Sequence, residues 1–278
     1  MVKGAGHKPT QAIVGAGRMG GALMAGWTGG RWPKVAAKDL LIIDPHPGEQ
    51  ARAAIEKGAL HKPAPGRELS SAACVMIAVK PQMFASIAAN MAQHLTPGTL
   101  IISIMAGTTM SSLKAAFPAQ AIIRAMPNTP ASIGAGITAF TCGDTVTEPQ
   151  KAIAHTLLSA GGVVHEVETE NLIDVVTAVS GSGPAYFFHM VEALEAAAIV
   201  AGLPENLAPA FARQTFIGAG ALLSKSGESA SDLRKAVTSP NGTTQAALDV
   251  LMSAEGLPPL MRETVNAALR RAKELGQG

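Results

Sequence analysis

The sequence predicts an α/β chain in two parts: a doubly wound parallel sheet over residues 1–168, then an all-helical domain over residues 169–278. Three observations predict it. Short runs that are apolar at every position recur through the first half, each separated from the next by an amphipathic stretch. A strand apolar throughout must be covered on both faces, and a parallel sheet with helices on either side supplies that cover. A glycine-rich loop follows the first run, and strand signals stop after Glu168.

Taken in order, Ala12-Ile13-Val14 is the first strand and runs into the glycine loop, after which a helical stretch continues to about Trp27. Residues 40–44 read as a second buried strand and 47–57 as a helix. Residues 74–79 form a third strand, closed by Lys80-Pro81. Proline cannot donate to a sheet and suits the first turn of a helix, which makes that boundary sharp. Residues 100–104 and 121–125 repeat the pattern, and 136–140 and 163–167 add two edge strands. Beyond Glu168, helices are predicted over 170–179, 185–201, 205–224, 230–237, 243–253 and 257–275. Residues 187–200 are apolar around most of the helix circumference. Such a helix must be buried on several sides, more than a small helical domain can supply, so a second subunit is expected to cover it.

Bulk properties narrow the function. With 47% hydrophobic and 15% charged residues, the chain is globular and on the apolar side. A net charge of +2 gives no footing for nucleic acid or an anionic membrane. No apolar run approaches the ~20 residues of a membrane span, and residues 1–11 are polar, without an apolar signal region. Cys74 and Cys142 both sit in apolar runs, as a reducing compartment tolerates, and build neither a disulfide framework nor a metal site. The expectation is a cytoplasmic protein acting on a small molecule, with no metal.

Gly15-Ala16-Gly17-Arg18-Met19-Gly20 gains weight from its context: a strand before, a helix after, and a carboxylate at the end of the next strand. The first glycine permits the tight turn, the second lets backbone approach a pyrophosphate, and the third packs helix on strand. Free N–H groups and the helix dipole then favour the negative charge. This is a Rossmann-like dinucleotide site. Asp44 ends the second strand, where a carboxylate accepts from an adenosine ribose and repels a 2′-phosphate, which favours NADH; His46 is the only nearby group expected to become cationic. Ala78-Val79-Lys80-Pro81 and Ala106-Gly107 end later strands at the same edge, the second close to where nicotinamide is expected. Asn128, between two prolines, either holds polar groups of substrate or nicotinamide or simply forms a turn.

In the second half, Thr238-Ser239-Pro240-Asn241-Gly242-Thr243-Thr244 precedes an amphipathic helix. Its backbone N–H groups can seat a carboxylate, and the hydroxyls of Ser239, Thr243 and Thr244 add uncharged donors. It contains no strong acid or base. Ser180-Gly181-Ser182-Gly183-Pro184 lacks a preceding strand and reads as a helix break with close backbone packing, at the site floor or a subunit interface. His189, on an apolar helix, reads as a hydrogen-bonded interior residue rather than an acid.

The 235–244 segment and Val179-Ser180-Gly181-Ser182-Gly183-Pro184-Ala185-Tyr186-Phe187-Phe188 closely resemble the pyrroline-5-carboxylate reductases. The glycine loop, Ala78-Val79-Lys80-Pro81-Gln82 and Arg124-Ala125-Met126-Pro127-Asn128-Thr129-Pro130 match the same family in order, so the resemblance covers nearly the whole chain. It implies hydride transfer from NADPH or NADH to a cyclic imine, giving L-proline, with Ala78, Val79, Lys80 and Pro81 lining the cofactor. It also implies Thr244 at the reacting nitrogen, Ser239, Asn241, Gly242, Thr243 and Asn128 around substrate, and a homodimer through the helical domain, assembled in some members into decamers. Asp44 departs from the family's usual neutral residue followed by a basic one, and Asn241 stands where glycine is commoner; asparagine tolerates left-handed backbone, so the turn should survive.

Related two-domain β-hydroxyacid dehydrogenases and ketopantoate reductases use a lysine early in the second domain, yet this chain has none between Lys151 and Lys225. A ketone needs a proton delivered to its developing alkoxide, whereas an imine nitrogen can be protonated beforehand. A reductase of another imine or a keto acid, or a non-catalytic dinucleotide sensor, remains an alternative at this stage.

Overall fold

In the computed structural model, which describes residues 9–29 and 35–277, the first apolar run is β1 (Gln11–Val14), near the centre of an eight-stranded sheet. Most of the polar segment at residues 1–11 lies outside the described residues. The other strands are β2 (Leu40–Ile43), β3 (Leu60–Lys62), β4 (Cys74–Ile77), β5 (Leu100–Ser103), β6 (Ala121–Met126), β7 (Gly136–Cys142) and β8 (Gly162–Glu166), in the order β3-β2-β1-β4-β5-β6-β7-β8. All neighbours are parallel except β6 and β7. The expected strand at 136–140 is therefore not an edge: β7 turns back against β6 and is itself flanked by β8. Short β3, with polar His61 and Lys62, was not expected.

The helices between the strands are α1 (Arg18–Gly29), α2 (Glu49–Glu56), α3 (Phe84–Ala92), α4 (Met110–Ala116) and α5 (Glu148–Leu158). Alternation along the strands divides the core in two. Ile13, Ile42, Met76 and Ile102 meet Leu23, Met24 and Trp27 of α1 on one face. Val14, Leu41, Val75 and Ile101 meet Met91, Leu113 and Phe117 on the other. Trp27 Nε1 donates to the Leu157 carbonyl at 2.8 Å, which lets a large aromatic lie fully inside without orphaning its N–H. Thr147 and Gln150 form a reciprocal capping box at the start of α5.

After the sheet come α6 (Glu170–Val176), a π-helical turn over Thr177–Gly181, then α7 (Gly183–Val200), α8 (Ala208–Ser226), α9 (Ala230–Ala236), α10 (Thr243–Leu251) and α11 (Leu257–Gln277). Two compact units result, one of residues 1–182 with 268–278, the other 183–267. The first runs past the boundary expected at residue 168 because α6 packs on β6 and β7, where it carries both carboxylate partners of the buried Arg124.

The second unit buries few of its own apolar side chains. On the single chain Phe188 is 62% exposed and Phe211 61%, and Val250 and Leu260 are also exposed. An apolar surface on this scale marks an interaction face. His189 is hydrogen-bonded, to Glu192 at 3.0 Å, but lies on this exposed surface rather than in an interior. Among the described residues no helix is long and apolar enough to cross a membrane.

Candidate active site

The strand order reverses at β1, which has β2 on one side and β4 on the other. In an open parallel sheet, ligands bind beyond the strand ends at such a point. Gly15 leaves β1 with φ +94°, a conformation that favours glycine, and its N–H donates to Ile43 O at 2.9 Å. A Cβ on Gly15 would stand 2.7 Å from the carbonyl carbon of Ala78, whose own N–H donates to Val14 O at 2.8 Å. A Cβ on Gly20 would run into the carbonyl oxygen of Gly15. Gly17 differs: it is exposed, and a Cβ there would meet nothing within 4 Å. Two glycines thus close the loop on the protein, and the middle one leaves room for a ligand. Ala78 and Val79, expected within the strand, curve off after Ile77 to make that close packing.

The surroundings fit a dinucleotide. The exposed backbone of Gly17 and Arg18 opens α1, whose N-terminal N–H groups would receive a pyrophosphate. Beside it lies a cavity of about 420 Å³, largely apolar, bordered by Gly15, Asp44, Val79, Lys80, Met83 and residues 63–65. Pro63, Ala64 and Pro65 were not foreseen as site residues; their only sequence signal is a proline-rich turn, and the unexpected β3 carries them there. Lys80 is exposed and makes no ion pair among the described residues, and Pro81 starts the short 3₁₀ turn after it.

Asp44 does more than face that cavity. Its Oδ2 accepts from Ala16 N at 2.6 Å and its Oδ1 from His46 N at 2.7 Å, while His61 Nε2 donates to its backbone carbonyl at 2.9 Å. The carboxylate therefore orders the glycine loop, and its oxygens keep further lone pairs on the side that borders the cavity. His46 is not the only basic side chain nearby, contrary to the sequence expectation. Arg18 lines the same adjoining cavity of about 360 Å³ as His46, because the first turn of α1 and the turn after β2 meet there.

Beyond β5, Gly107 has φ +72° and a Cβ there would approach Leu275 Cβ at 3.0 Å. Its bareness thus admits the last turn of α11, alongside whatever ligand reaches Ala106, which is exposed. Asn128 is 8% exposed, and its Oδ1 accepts from Ile137 N at 2.9 Å, which ties the side chain to the start of β7, while its amide nitrogen has no protein partner among the described residues. Gly181 packs against Met126, whose Cε would lie 2.7 Å from an added Cβ. Of the Ser180-to-Pro184 segment, Ser180 and Gly181 close the π turn, with Gly181 closely packed, while Gly183 and Pro184 begin α7.

Asn241 is the only non-glycine with positive φ (58°) among the described residues, so it does take the left-handed backbone that the sequence required of it. Gly242 is the N-cap of α10, and no side chain caps that helix. Its bareness is enforced, since a Cβ would collide with Ser239 Oγ. The Thr238 hydroxyl donates to Arg234 O at 2.6 Å, but those of Ser239, Thr243 and Thr244 have no protein partner among the described residues. The result is an open helix N-terminus with three uncommitted hydroxyls, suited to an anion.

The cysteines carry no chemistry here. Burial raises the Cys74 thiol far above its ordinary range, and burial with the nearby Glu166 carboxylate raises Cys142 to about 11, so both stay protonated. Among the described residues no three His, Cys, Asp or Glu side chains are grouped to hold a metal ion.

Residues 170–275 match the family model described as pyrroline-5-carboxylate reductase dimerisation, and residues 10–107 match that described as NADP oxidoreductase coenzyme F420-dependent. The chain is 38% identical to the pyrroline-5-carboxylate reductase of Synechocystis over 267 residues, 95% of this chain and 97% of that protein. Its fold is similar to the pyrroline-5-carboxylate reductase of Coxiella burnetii, with TM-score 0.87 and 32% identity over 96% of this chain and 98% of that one. It is also similar to the Plasmodium falciparum pyrroline carboxylate reductase solved with NADP bound, with TM-score 0.81 and 25% identity over 97% and 99% of the two chains.

The glycine geometry makes a paired prediction. Gly20→Ala should cost about 1–3 kcal/mol in urea unfolding, because the methyl group has no space. Gly17→Ala should leave unfolding unchanged and weaken NAD(P)H binding at least about tenfold in a fluorescence titration. Equal effects of the two variants on stability would contradict the assignment.

Proposed function

The chain belongs to the pyrroline-5-carboxylate reductase family, and from that premise we propose how its residues bring about the reduction of 1-pyrroline-5-carboxylate to L-proline, the last step of proline biosynthesis. The protein is an NAD(P)H-dependent oxidoreductase with a Rossmann-like domain and a helical dimerisation domain. NAD(P)H supplies the hydride. The glycine loop seats the pyrophosphate, Asp44 and Lys80 border the adenosine end, and Ala106 and Gly107 border the nicotinamide. The observation that carries the substrate reading is the uncapped start of α10 behind the left-handed Asn241, with the Ser239, Thr243 and Thr244 hydroxyls uncommitted. The substrate carboxylate takes the N–H groups that no side chain caps, and the Thr244 hydroxyl contacts the ring nitrogen. Asn128 contributes through its amide nitrogen.

No strong acid is needed in this account. The imine nitrogen arrives protonated, its carbon is already electrophilic, and Thr244 orients the ring. The absence of lysine between Lys151 and Lys225 separates this arrangement from keto-acid reductases. The enzyme works in the cytoplasm as a homodimer joined through the helical domain, whose exposed Phe188 and Phe211 the second subunit covers, and dimers assemble further into a decamer.

Three outcomes test this reading. NADH and NADPH absorbance should fall with pyrroline-5-carboxylate and stay flat with ketopantoate; turnover of ketopantoate alone would favour a keto-acid reductase. Asp44→Ser should lower efficiency with both cofactors, since Ala16 N–H loses its acceptor, yet raise the NADPH to NADH ratio as the repelling charge goes. An unchanged ratio in steady-state kinetics would remove Asp44 from cofactor choice. Thr244→Val should slow turnover by about 10²-fold or less, because one neutral hydrogen bond at a reacting centre is worth a few kcal/mol. Thr244→Ser should keep most activity, and wild-type turnover in the valine variant would show the contact to be wrong.

A further inference from the structure

One buried charge cluster lies outside every role assigned so far. Arg124, on β6, is 3% exposed. Its Nη1 donates to Glu170 Oε1 at 2.8 Å and its Nη2 to Asp174 Oδ1 at 2.9 Å. The two carboxylates stand one helical turn apart on α6 and grip the guanidinium as a fork. They are not equivalent. Glu170 Oε1 also accepts from Met110 N at 2.6 Å, the first residue of α4 and the end of the loop that follows β5. Asp174 has no such second contact among the described residues.

Stability alone is a poor reason for this arrangement. A buried ion pair is often no more stabilising than a well-packed apolar group of the same size, and here Arg124 Nε is left buried without an acceptor. What the cluster supplies is connection. A single carboxylate oxygen joins the strand that leads to Asn128, the helix that leads to the π turn, and the loop of residues 106–109. From the other side the last turn of α11 packs on that loop, with Leu275 against Gly107 and Gly276 against Thr109.

We propose that Glu170 is a positioning residue: by accepting from Met110 N while paired to Arg124, it fixes the 106–109 loop at the nicotinamide edge. The proposal rests on the reading that Ala106 and Gly107 border the nicotinamide. Asp174, on this view, holds Arg124 and α6 in place but does not control the loop.

The test compares Glu170→Ala, Glu170→Gln and Asp174→Ala by three readouts: amide exchange of residues 106–110, thermal midpoint, and the primary deuterium isotope effect on NAD(P)H oxidation. Glu170→Ala should speed exchange of the loop, lower the midpoint, and cut turnover about 10- to 100-fold with a larger isotope effect, as misplacement makes hydride transfer more limiting. Glu170→Gln keeps an acceptor for Met110 and should restore loop exchange and the isotope effect to near wild type. Asp174→Ala should lower the midpoint while leaving both of those unchanged. If Glu170→Ala does not fold, Glu170→Asp, which keeps the charge but is too short to hold Met110, should show the loop signature. Loop exchange and isotope effect at wild-type values in Glu170→Ala (or in Glu170→Asp, where alanine does not fold), or the same loop signature in Asp174→Ala, would overturn the proposal. Should the unsubstituted protein fail to reduce pyrroline-5-carboxylate, the functional reading falls, while loop exchange still decides the mechanical link.

Discussion

The cofactor edge of this molecule hangs on the contact between Gly15 and Ala78, two backbone segments that leave adjacent parallel strands and touch where no side chain fits. Parallel β1 and β4 bring their carboxyl ends level, so the loops that follow must either diverge or pack bare. They pack bare. That choice sets the direction in which α1 departs, brings its N-terminus over the switch point, and leaves Gly17 and Arg18 exposed where the loop passes into the helix. Asp44 completes the arrangement from β2 by holding the Ala16 N–H, so the loop is fixed by three strands at once. On the proposed reading, the carboxylate that builds the loop also stands where a 2′-phosphate would come, which would tie the choice of cofactor to the integrity of the site.

The helical part obeys a different economy. Its helices are too apolar for the surface they present on a single chain, and few of its side chains are buried. The sheet differs, since its two cores close on themselves, whereas these helices leave an apolar face for another surface to cover. The turn before α10 is nevertheless defined locally. Asn241 in left-handed backbone, Gly242 against Ser239 Oγ, and the Thr238 bond to Arg234 O set its shape without help from a cap. A seat for an anion made from uncapped N–H groups and hydroxyls carries no titrating side chain of its own. On the proposed reading the proton demand of the chemistry falls on the substrate, which suits an imine.

Much of this was legible in the sequence, for identifiable reasons. Strands such as Leu40–Ile43 are buried at every position, and two-sided burial leaves an unbroken apolar run. The glycine loop was legible because each glycine answers a separate steric demand. Strand direction was not: nothing in the periodicity of residues 136–140 distinguishes β7 antiparallel to β6 from one more parallel strand. Short β3 was hidden by its half-exposed polar residues, and with it the proline wall of the cavity beside the glycine loop. The fork on Arg124 joins residues 46 and 50 positions apart in the chain, and no local pattern marks an arginine within an apolar run as buried rather than snorkelling to solvent. Arg18 and His46 share a cavity for the same reason, since only the fold makes them neighbours.

Direct hydride transfer to the imine carbon is the claim on which the account stands or falls, and isotope labelling tests it at the atom concerned. The protein would be incubated with pyrroline-5-carboxylate and NAD(P)H carrying deuterium on the transferred position of the nicotinamide ring, and the product analysed by mass spectrometry and NMR. The account predicts L-proline with one deuterium, located at carbon 5, formed in proportion to the cofactor oxidised. Cofactor oxidation without labelled proline, or proline with deuterium absent from carbon 5, would contradict it.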